Sequence, residues 1–430
     1  MKIFTVIVFI LTYVLMIALP KIRHWSAIGA AAILLIAGAL PLGTVPEAIN
    51  WNVLLMLAGT MGTVSLFIDS KMPDRMADKL LKITPNVKWL AVIMSLFSGV
   101  VSAFMDNVAT VLMIAPVALS ISKRLKISPV ALLISIAVSS NLQGAATLVG
   151  DTTSIMLGGY ADMNFMEFLF MDGRFSIFWA VELGALATVP IILFLFRKDK
   201  EPVTSEGLTE VNDYVPSFLL LGTVIALIVM SFFSFKIEIA GNDITNGLIC
   251  VFFFSVGLIY TICRKRTGLF KKVWKEIDYE TLALLTALFL VIKTLEKQGI
   301  IKDLSGLFVQ VGGNNLFLMY TLIVWGSVLI SAFVDNIPYV ATMLPVVQGI
   351  ASLMGCSPYV LYFGLLVGAT LGGNITPVGA SANIAAIGIL RKNGFDVKTK
   401  DFLRIGLPFT LTAVMTGYLF CWLVWSGAGV

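Results

Sequence analysis

Two aspartates interrupt apolar sequence, each followed by asparagine in the same six-residue frame. The frames are Ser102-Ala103-Phe104-Met105-Asp106-Asn107 and Ser331-Ala332-Phe333-Val334-Asp335-Asn336, 229 positions apart (331 − 102). Each continues into an apolar, Thr-bearing stretch ending in proline, from Val108 through Thr110 to Pro116 and from Ile337 to Pro345. A carboxylate in hydrocarbon costs roughly 2.5–3.5 kcal/mol on insertion scales, so such residues are rare and mark function. Aspartate and asparagine also cap helices, satisfying the free N–H groups of a first turn. That end of a helix attracts anions. An ionised Asp106 or Asp335 cancels the attraction and favours Na⁺ or H⁺ instead. An anion then fits only beside a protonated or cation-paired aspartate, and a neutral oxyacid such as arsenous acid avoids much of the conflict.

A second polar interruption follows each frame. The first runs from Asn141 to Ser154 and the second from Gly372 to Asn383. Thr147 falls on Thr376 and Gly150 on Gly379 at the same offset of 229 (376 − 147). Glycine permits strained backbone, and Pro377 removes a donor and breaks the helical ladder. Irregular backbone survives at membrane depth only where protein buries it or it lines a wet cavity. Freed carbonyls and small hydroxyls there can ligate a hard cation. Asp106, Asn107, Thr110, Thr147, Asp151, Thr152 and Ser154 are thus the candidate ion- or substrate-binding residues of the first half. Asp335, Asn336, Asn374, Thr376, Ser381 and Asn383 are those of the second. Blander roles compete: polar glue between helices for the Asp-Asn pairs, a helix cap for Asp151, and satisfaction of broken backbone for the hydroxyls and amides.

The elements that position these residues must be membrane helices. The 430 residues are 58% hydrophobic and 13% charged, with a mean hydropathy of +0.95. Soluble domains run near 25% charged. Net charge is +5, but the Lys and Arg residues fall largely in short loops. That distribution orients a protein in a bilayer and is no footprint for nucleic acid. Cys250, Cys263, Cys356 and Cys421 have no CxxC spacing, and His24 is the sole histidine, so neither a disulfide frame nor a zinc cluster is expected. No metal or organic cofactor is expected beyond a coupling ion. Lys2 precedes an apolar run without an evident cleavage site, which reads as a retained first helix.

Helices need about 20 apolar residues to cross. Candidate spans are Ile3–Leu19, Trp25–Leu42, Trp51–Ile68, Phe175–Phe196, Ser217–Phe235, Ile244–Cys263, Tyr279–Leu295 and Phe402–Trp425. Between them lie re-entrant hairpins at 87–121 and 316–351 and broken helices at 128–157 and 358–390. The predicted fold is an all-α polytopic membrane protein of two inverted repeats, residues 1–198 and 216–430. Each repeat has five crossings, one re-entrant hairpin and one broken helix. A cytoplasmic linker at 199–215 carries Glu201, Glu206, Glu210 and Asp213. Lys21 and Arg23, the cations from Lys71 to Lys88, Lys123 to Lys126, Arg264 to Lys275 and Arg391 to Arg404 then share one side. Asp162, Glu167, Asp172, Glu238 and Asp243 lie on the other. The positive-inside rule sets both termini outside the cytoplasm. Met72–Leu81 and Leu269–Ile277 read as interfacial amphipathic helices. Glu182 has no counterpart in the second half (Leu411 stands there) and reads as a paired structural acid. Lys293 and Glu296 are expected to pair or to reach the interface.

At Ser102–Asn107, Ser331–Asn336, Gly144–Ser154 and Gly372–Asn383 the chain resembles the ion-transporter superfamily. More closely, it resembles the branch of arsenite permeases, the pigmentation P-protein and D-type sodium–proton antiporters. Gly372–Asn383 is similar to the permease and P-protein side, whereas Gly150-Asp151-Thr152-Thr153 departs from their Gly-Asp-Pro-Pro-Asn and is more like the antiporter. Against the related divalent-anion sodium symporters, Asp-Asn replaces Ser-Asn, and Val108 and Ile337 replace threonine, which weakens a dicarboxylate assignment. The resemblance implies sodium sites at Asn107 with Gly150 and at Asn336 with Gly379, a homodimer, and an elevator-like transport domain.

The expected function is a secondary active transporter that uses Na⁺ or H⁺ to move a small oxyanion or oxyacid across the cell membrane. A sodium–proton antiporter is the alternative, with both carboxylates exchanging Na⁺ for H⁺. On either reading, Asp106→Asn and Asp335→Asn are each expected to abolish coupling. Two membrane aspartates could also serve an intramembrane protease, but neither carries the Gly-x-Gly-Asp pattern. No P-loop is present, so any ATPase would be a separate partner.

Overall fold

In the computed structural model, the described residues are all but 204–206, 234, 314 and 428–430, and the side chains of 20 and 267. Glu206 of the linker lies outside them. The chain is mostly helical. Its first half comprises α1 (Lys2–Ala18), α2 (Arg23–Ile36), the short α3 (Val45–Ala48), α4 (Trp51–Asp69) and α5 (Met72–Lys82). There follow α6 (Val87–Ser102), α7 (Asn107–Leu125), α8 (Val130–Gly144), α9 (Thr152–Tyr160), the short α10 (Phe165–Leu169) and α11 (Ile177–Leu195). The second half comprises α12 (Val215–Met230), α13 (Thr245–Cys263), α14 (Thr267–Glu276), α15 (Tyr279–Lys297) and α16 (Ile300–Gly312). It ends with α17 (Leu316–Ser331), α18 (Asn336–Met354), α19 (Tyr359–Gly372), α20 (Ser381–Lys392) and α21 (Thr399–Trp425). Among the described residues, six helices are long and apolar enough to cross a membrane, or seven if α16 and α17, bent by 115°, count as one broken span.

The sequence repeat is written into the helix boundaries. Helices α6 and α17, α7 and α18, α8 and α19, and α9 and α20 begin 229 residues apart (316 − 87, for example). Side-chain caps fix many of these starts. Asn50, Asn86 and Asn315 accept from the amides of Val53, Trp89 and Leu318, which satisfies donors that a first turn leaves free. Two small ribbons, Phe170–Met171 with Arg174–Phe175 and Glu238–Ile239 with Asn242–Asp243, precede α11 and α13. Their two-residue turns, Asp172-Gly173 and Ala240-Gly241, all adopt positive φ, the geometry a tight hairpin needs.

Packing sorts the helices into neighbourhoods. Helix α4 lies on α13 and α12, and α2 lies on α15 and α1. Elsewhere α8 packs on α6, α7 and α20, α19 packs on α17 and α18, and α21 closes on α11 and α19. Lipid supplies no hydrophobic drive between helices, so close backbone approach matters more. Gly368 and Gly372 of α19 provide it, lying against the backbone of Val324 and Val328 in α17.

Several expectations on the elements need adjustment. The α2 span ends at Ile36, short of Leu42, and α7 and α18 run past the predicted ends of the hairpin regions, to Leu125 and Met354. Helix α16, between Lys297 and Leu316, has no counterpart in the sequence reading. The amphipathic stretches are helices, α5 and α14, although α5 buries Pro73, Ala77 and Leu81 against protein. The linker is not a free tether. Val87 and Lys88 donate to the carbonyls of Glu201 and Asp199, and the amide of Thr209 donates to Asp78 at 2.8 Å. Lys293 pairs with Glu296 at 2.9 Å as expected. Glu182 does not meet its expectation, because it has no hydrogen-bond or ion-pair partner among the described residues.

Candidate functional site

Each Asp-Asn frame links two helices, α6 to α7 and α17 to α18. Asp106 caps α7, its Oδ1 accepting from the amides of Val108 and Ala109 at 3.1 and 3.0 Å. Asp335 caps α18 by accepting from the Ile337 amide at 3.0 Å. The caps use Oδ1 in both cases, which frees the second carboxylate oxygen for other chemistry. At Asp335 that oxygen receives the Arg23 guanidinium in an ion pair and Ser381 Oγ at 3.3 Å. Among the described residues, Asp106 has no such cation.

The interrupted helices meet the Asp-Asn frames through a duplicated contact. Thr147 Oγ1 donates to the Ala103 carbonyl, and Thr376 Oγ1 donates to the Ala332 carbonyl. Each hydroxyl also accepts from the amide two residues on, at 3.3 Å to Val149 and to Val378. Just beyond, three carbonyls converge on a glycine. A Cβ at Gly150 would lie 2.5, 2.7 and 2.8 Å from the oxygens of Gly144, Ser102 and Ala103. One at Gly379 would lie 2.6, 2.7 and 2.8 Å from those of Gly373, Ser331 and Ala332. The backbone opens here because each broken helix stops, at Gly144 and at Gly372, and restarts only at Thr152 and Ser381.

A cavity of about 330 Å³ joins the two assemblies. Asp106, Asn107, Asp151, Thr152, Asn336 and Ser381 line it, together with Arg23, Ser65, Glu276, Asp278 and Thr281. Asp151 caps α9 through the Thr152 amide at 2.8 Å and accepts from Thr153 Oγ1 at 2.9 Å, so it is both a cap and a cavity residue. A smaller space of about 10 Å³ is lined by Thr60, Asp106, Gly150, Asp151 and Thr152. Four of the five charged residues lining the main cavity are carboxylates. Its outer rim carries the exposed Glu276 and Asp278. Ser65 donates to Glu276, and Lys272 bridges Glu276 and Asp69 at 3.9 and 2.8 Å. The hydrogen bond to Asp69 holds the Lys272 ammonium above the usual lysine range.

Other predicted residues hold the site's walls. The Asn107 amide nitrogen donates to Asn141 at 2.8 Å. Thr110 folds back onto the Asp106 carbonyl at 3.0 Å and is not among the cavity lining. Asn141 donates to the Thr370 carbonyl at 2.7 Å and to Asn374 at 3.1 Å, and Asn374 donates to the Val138 carbonyl at 2.8 Å. These bonds tie α8 of one repeat to α19 of the other. Asn141→Leu would leave the Asn374 oxygen and the Thr370 carbonyl without this donor. We expect about 1–3 kcal/mol lost per orphaned group, read as a lower melting temperature in detergent. Asn383 donates to the Gly373 and Thr376 carbonyls at 3.1 and 3.3 Å, bracing the second break. The hydroxyls of Ser102 and Ser154 and the Asn383 side-chain oxygen are buried without a hydrogen-bond partner among the described residues.

Residues 13–368 match the model of a family described as citrate transporter, CitMHS. The chain belongs to the CitMHS family. Across the family, an uncharacterized transporter of Mycobacterium tuberculosis is 28% identical over 439 residues, covering 98% of each chain. The human P protein is 26% identical over 466 residues, covering 91% of this chain and 56% of its own length. Kinship with the P-protein branch of the superfamily is thereby borne out. Among solved structures, the YdaH transporter of Alcanivorax borkumensis superposes with a TM-score of 0.59 at 13% identity, over 89% of this chain and 87% of its own. MtrF of Neisseria gonorrhoeae, described as an antimetabolite efflux pump, gives 0.54 at 16% identity, over 87% and 81%. These likenesses concern the fold. As a member of this family the chain is a multi-pass membrane transporter and not an enzyme.

Within this CitMHS chain, sequence reasoning missed Arg23, Glu276 and Asp278. Arg23 had been counted among loop cations, yet it opens α2 and reaches Asp335 with its side chain only 26% exposed. No motif surrounds it, and α2 lies outside both duplicated frames. Its one legible signal was a cation at the mouth of an apolar helix, which the positive-inside rule explains equally well. Tyr13 of α1 was also unforeseen. Its hydroxyl donates to the Pro338 carbonyl at 2.6 Å and contacts Thr342 in α18.

Proposed function

We propose that this transporter is secondary active, coupling Na⁺ or H⁺ to the movement of a small oxyanion or oxyacid. The observation that carries the reading is the convergence of Asp106, Asn107, Asp151, Asn336 and Ser381 on one cavity. Duplicated carbonyl nests around Gly150 and Gly379 support it. A hard cation takes oxygen ligands, and the Gly150 nest, Asp106, Asp151 and Thr152 offer carbonyl, carboxylate and hydroxyl oxygen within one small space. Carboxylates dominate the charged part of the lining, so an anion would enter with its charge offset by protons or cations. Citrate, from which the family takes its description, belongs in the substrate panel beside arsenite.

The duplicated helix boundaries support two inverted repeats, residues 1–198 and 216–430, whose hairpins enter from opposite sides. On that topology the cavity rim at Glu276 and Asp278 lies on the face rich in Lys and Arg, and the positive-inside rule makes it cytoplasmic. Both termini then lie outside a cell membrane, and the linker at 199–215 lies inside. A transport domain bearing the hairpins and broken helices would move as an elevator against a fixed scaffold, within a homodimer. The excess of carboxylates also favours a second reading, sodium–proton exchange without an anion.

Reconstitution in liposomes tests both. Uptake of labelled citrate or arsenite driven by a Na⁺ or H⁺ gradient supports the first reading. Na⁺-dependent dissipation of a pH gradient with no anion flux supports the second. Substrate flux indifferent to both gradients would refute cation coupling altogether.

A further inference from the structure

The two half-sites descend from one repeat but differ in charge. In the first, Asp106 is joined by Asp151 across the small space near Gly150. In the second, the position equivalent to Asp151 is Ala380 (380 − 151 gives the same 229), so Asp335 stands without a second acid. Asp335 instead receives a cation from outside the repeat motifs. The Arg23 guanidinium lies against its Oδ2, and Ser381 Oγ adds a hydrogen bond at 3.3 Å. The Asp335 side chain is only 16% exposed. Arg23 and Ser381 line the main cavity while Asp335 does not. Helix α13, which corresponds to α2 in the second half, contains no charged residue, so it provides no matching cation for Asp106.

We propose that Arg23 is a resident cation for the second half-site, and that only the Asp106–Asp151 half-site takes an exchangeable one. Guanidinium is charged at any working pH and its fork matches a carboxylate, so it occupies the position without ever leaving. An ion approaching Asp335 from the cavity meets positive charge, whereas one approaching Asp106 meets two acids and a nest of carbonyls. The pseudo-symmetric frame therefore holds one mobile cation per chain instead of two. This rests on the cation-coupled reading above, and it specifies which of the two sites exchanges.

The test counts radioactive Na⁺ bound at equilibrium to the full chain in detergent, at fixed ionic strength balanced with choline. Arg23→Gln should bind one more Na⁺ per chain than the unmutated protein, and Arg23→Gln with Asp335→Asn should lose that extra ion. Asp335→Asn alone should leave the count unchanged, because no exchangeable ion sits there. An unchanged count in a folded Arg23→Gln protein would overturn the proposal. So would a count that falls by one in Asp335→Asn, a variant that tests the idea even if Arg23→Gln fails to fold. If the unmutated protein binds no Na⁺ while Arg23→Gln binds one, the sodium reading of the first half-site fails and the resident-cation assignment stands.

Discussion

Asp106→Asn should abolish cation-driven transport while leaving the fold in place. Asparagine caps a helix about as well as aspartate, so the bonds to Val108 and Ala109 have a substitute acceptor and α7 keeps its start. The lost quantity is charge. A carboxylate about 4 Å from a monovalent cation contributes on the order of 4 kcal/mol at an effective dielectric of 20. Removing it weakens cation binding roughly a thousandfold. Asp151 remains, so a residual weak site persists, and Asp106→Asn with Asp151→Asn should erase even that. Gradient-driven uptake in liposomes, paired with a melting curve in detergent, checks the claim. A variant that melts like the unmutated protein and still couples to the gradient would remove Asp106 from the mechanism. Asp335→Asn should also stop turnover, for a different reason: it leaves the Arg23 guanidinium unpaired at the cavity wall. Sodium should still bind to that variant, which separates the roles of the two aspartates.

The sequence exposed the parts of this site that were duplicated and hid the parts that were not. Asp106 and Asp335 stood out because a buried carboxylate is expensive and the same frame occurred twice. Gly150 and Gly379 stood out through their shared offset and a family resemblance, and the converging carbonyls give that offset a steric reason. Arg23 was hidden because a single arginine at a helix start has an ordinary explanation in bilayer orientation. Its partner lies 312 residues away, a pairing that no local pattern encodes. Asn107 was read as a ligand through the family resemblance; it lines the main cavity, and its amide nitrogen also braces Asn141 of α8. Helix α16 escaped for a different reason. It runs only 13 residues, from Ile300 to Gly312, with Lys302 and Asp303 among its apolar positions, too short to read as a crossing, although it packs on α18. Local composition located apolar helices because lipid demands them, although of the eight predicted uninterrupted spans only α4, α11, α13 and α21 are long and apolar enough to cross. Elements buried against protein face no such demand.

Gly150→Ala should be among the most damaging single-methyl changes in the first repeat. The new Cβ would meet three backbone carbonyls within 2.8 Å, belonging to Gly144, Ser102 and Ala103. Side-chain atoms can rotate aside, but these oxygens are fixed by two helix ends and by the Thr147 bond to Ala103. Overpacking of this kind typically costs about 1–3 kcal/mol. The methyl would also fill the space on which the three oxygens converge. Gly150→Ala is therefore expected to lower the melting temperature and abolish Na⁺ binding together. Gly379→Ala meets an equivalent cage of Gly373, Ser331 and Ala332 and should lose similar stability. With Arg23 holding the adjacent aspartate, however, Gly379→Ala should keep its Na⁺ count. Gly388→Ala in α20, where a Cβ meets nothing within 4 Å, supplies the control. There the methyl should be neutral or stabilise by up to about 1 kcal/mol, the helix-propensity gain over glycine. If Gly150→Ala bound sodium as well as Gly388→Ala does, the carbonyl nest would be a packing device with no hand in holding the ion.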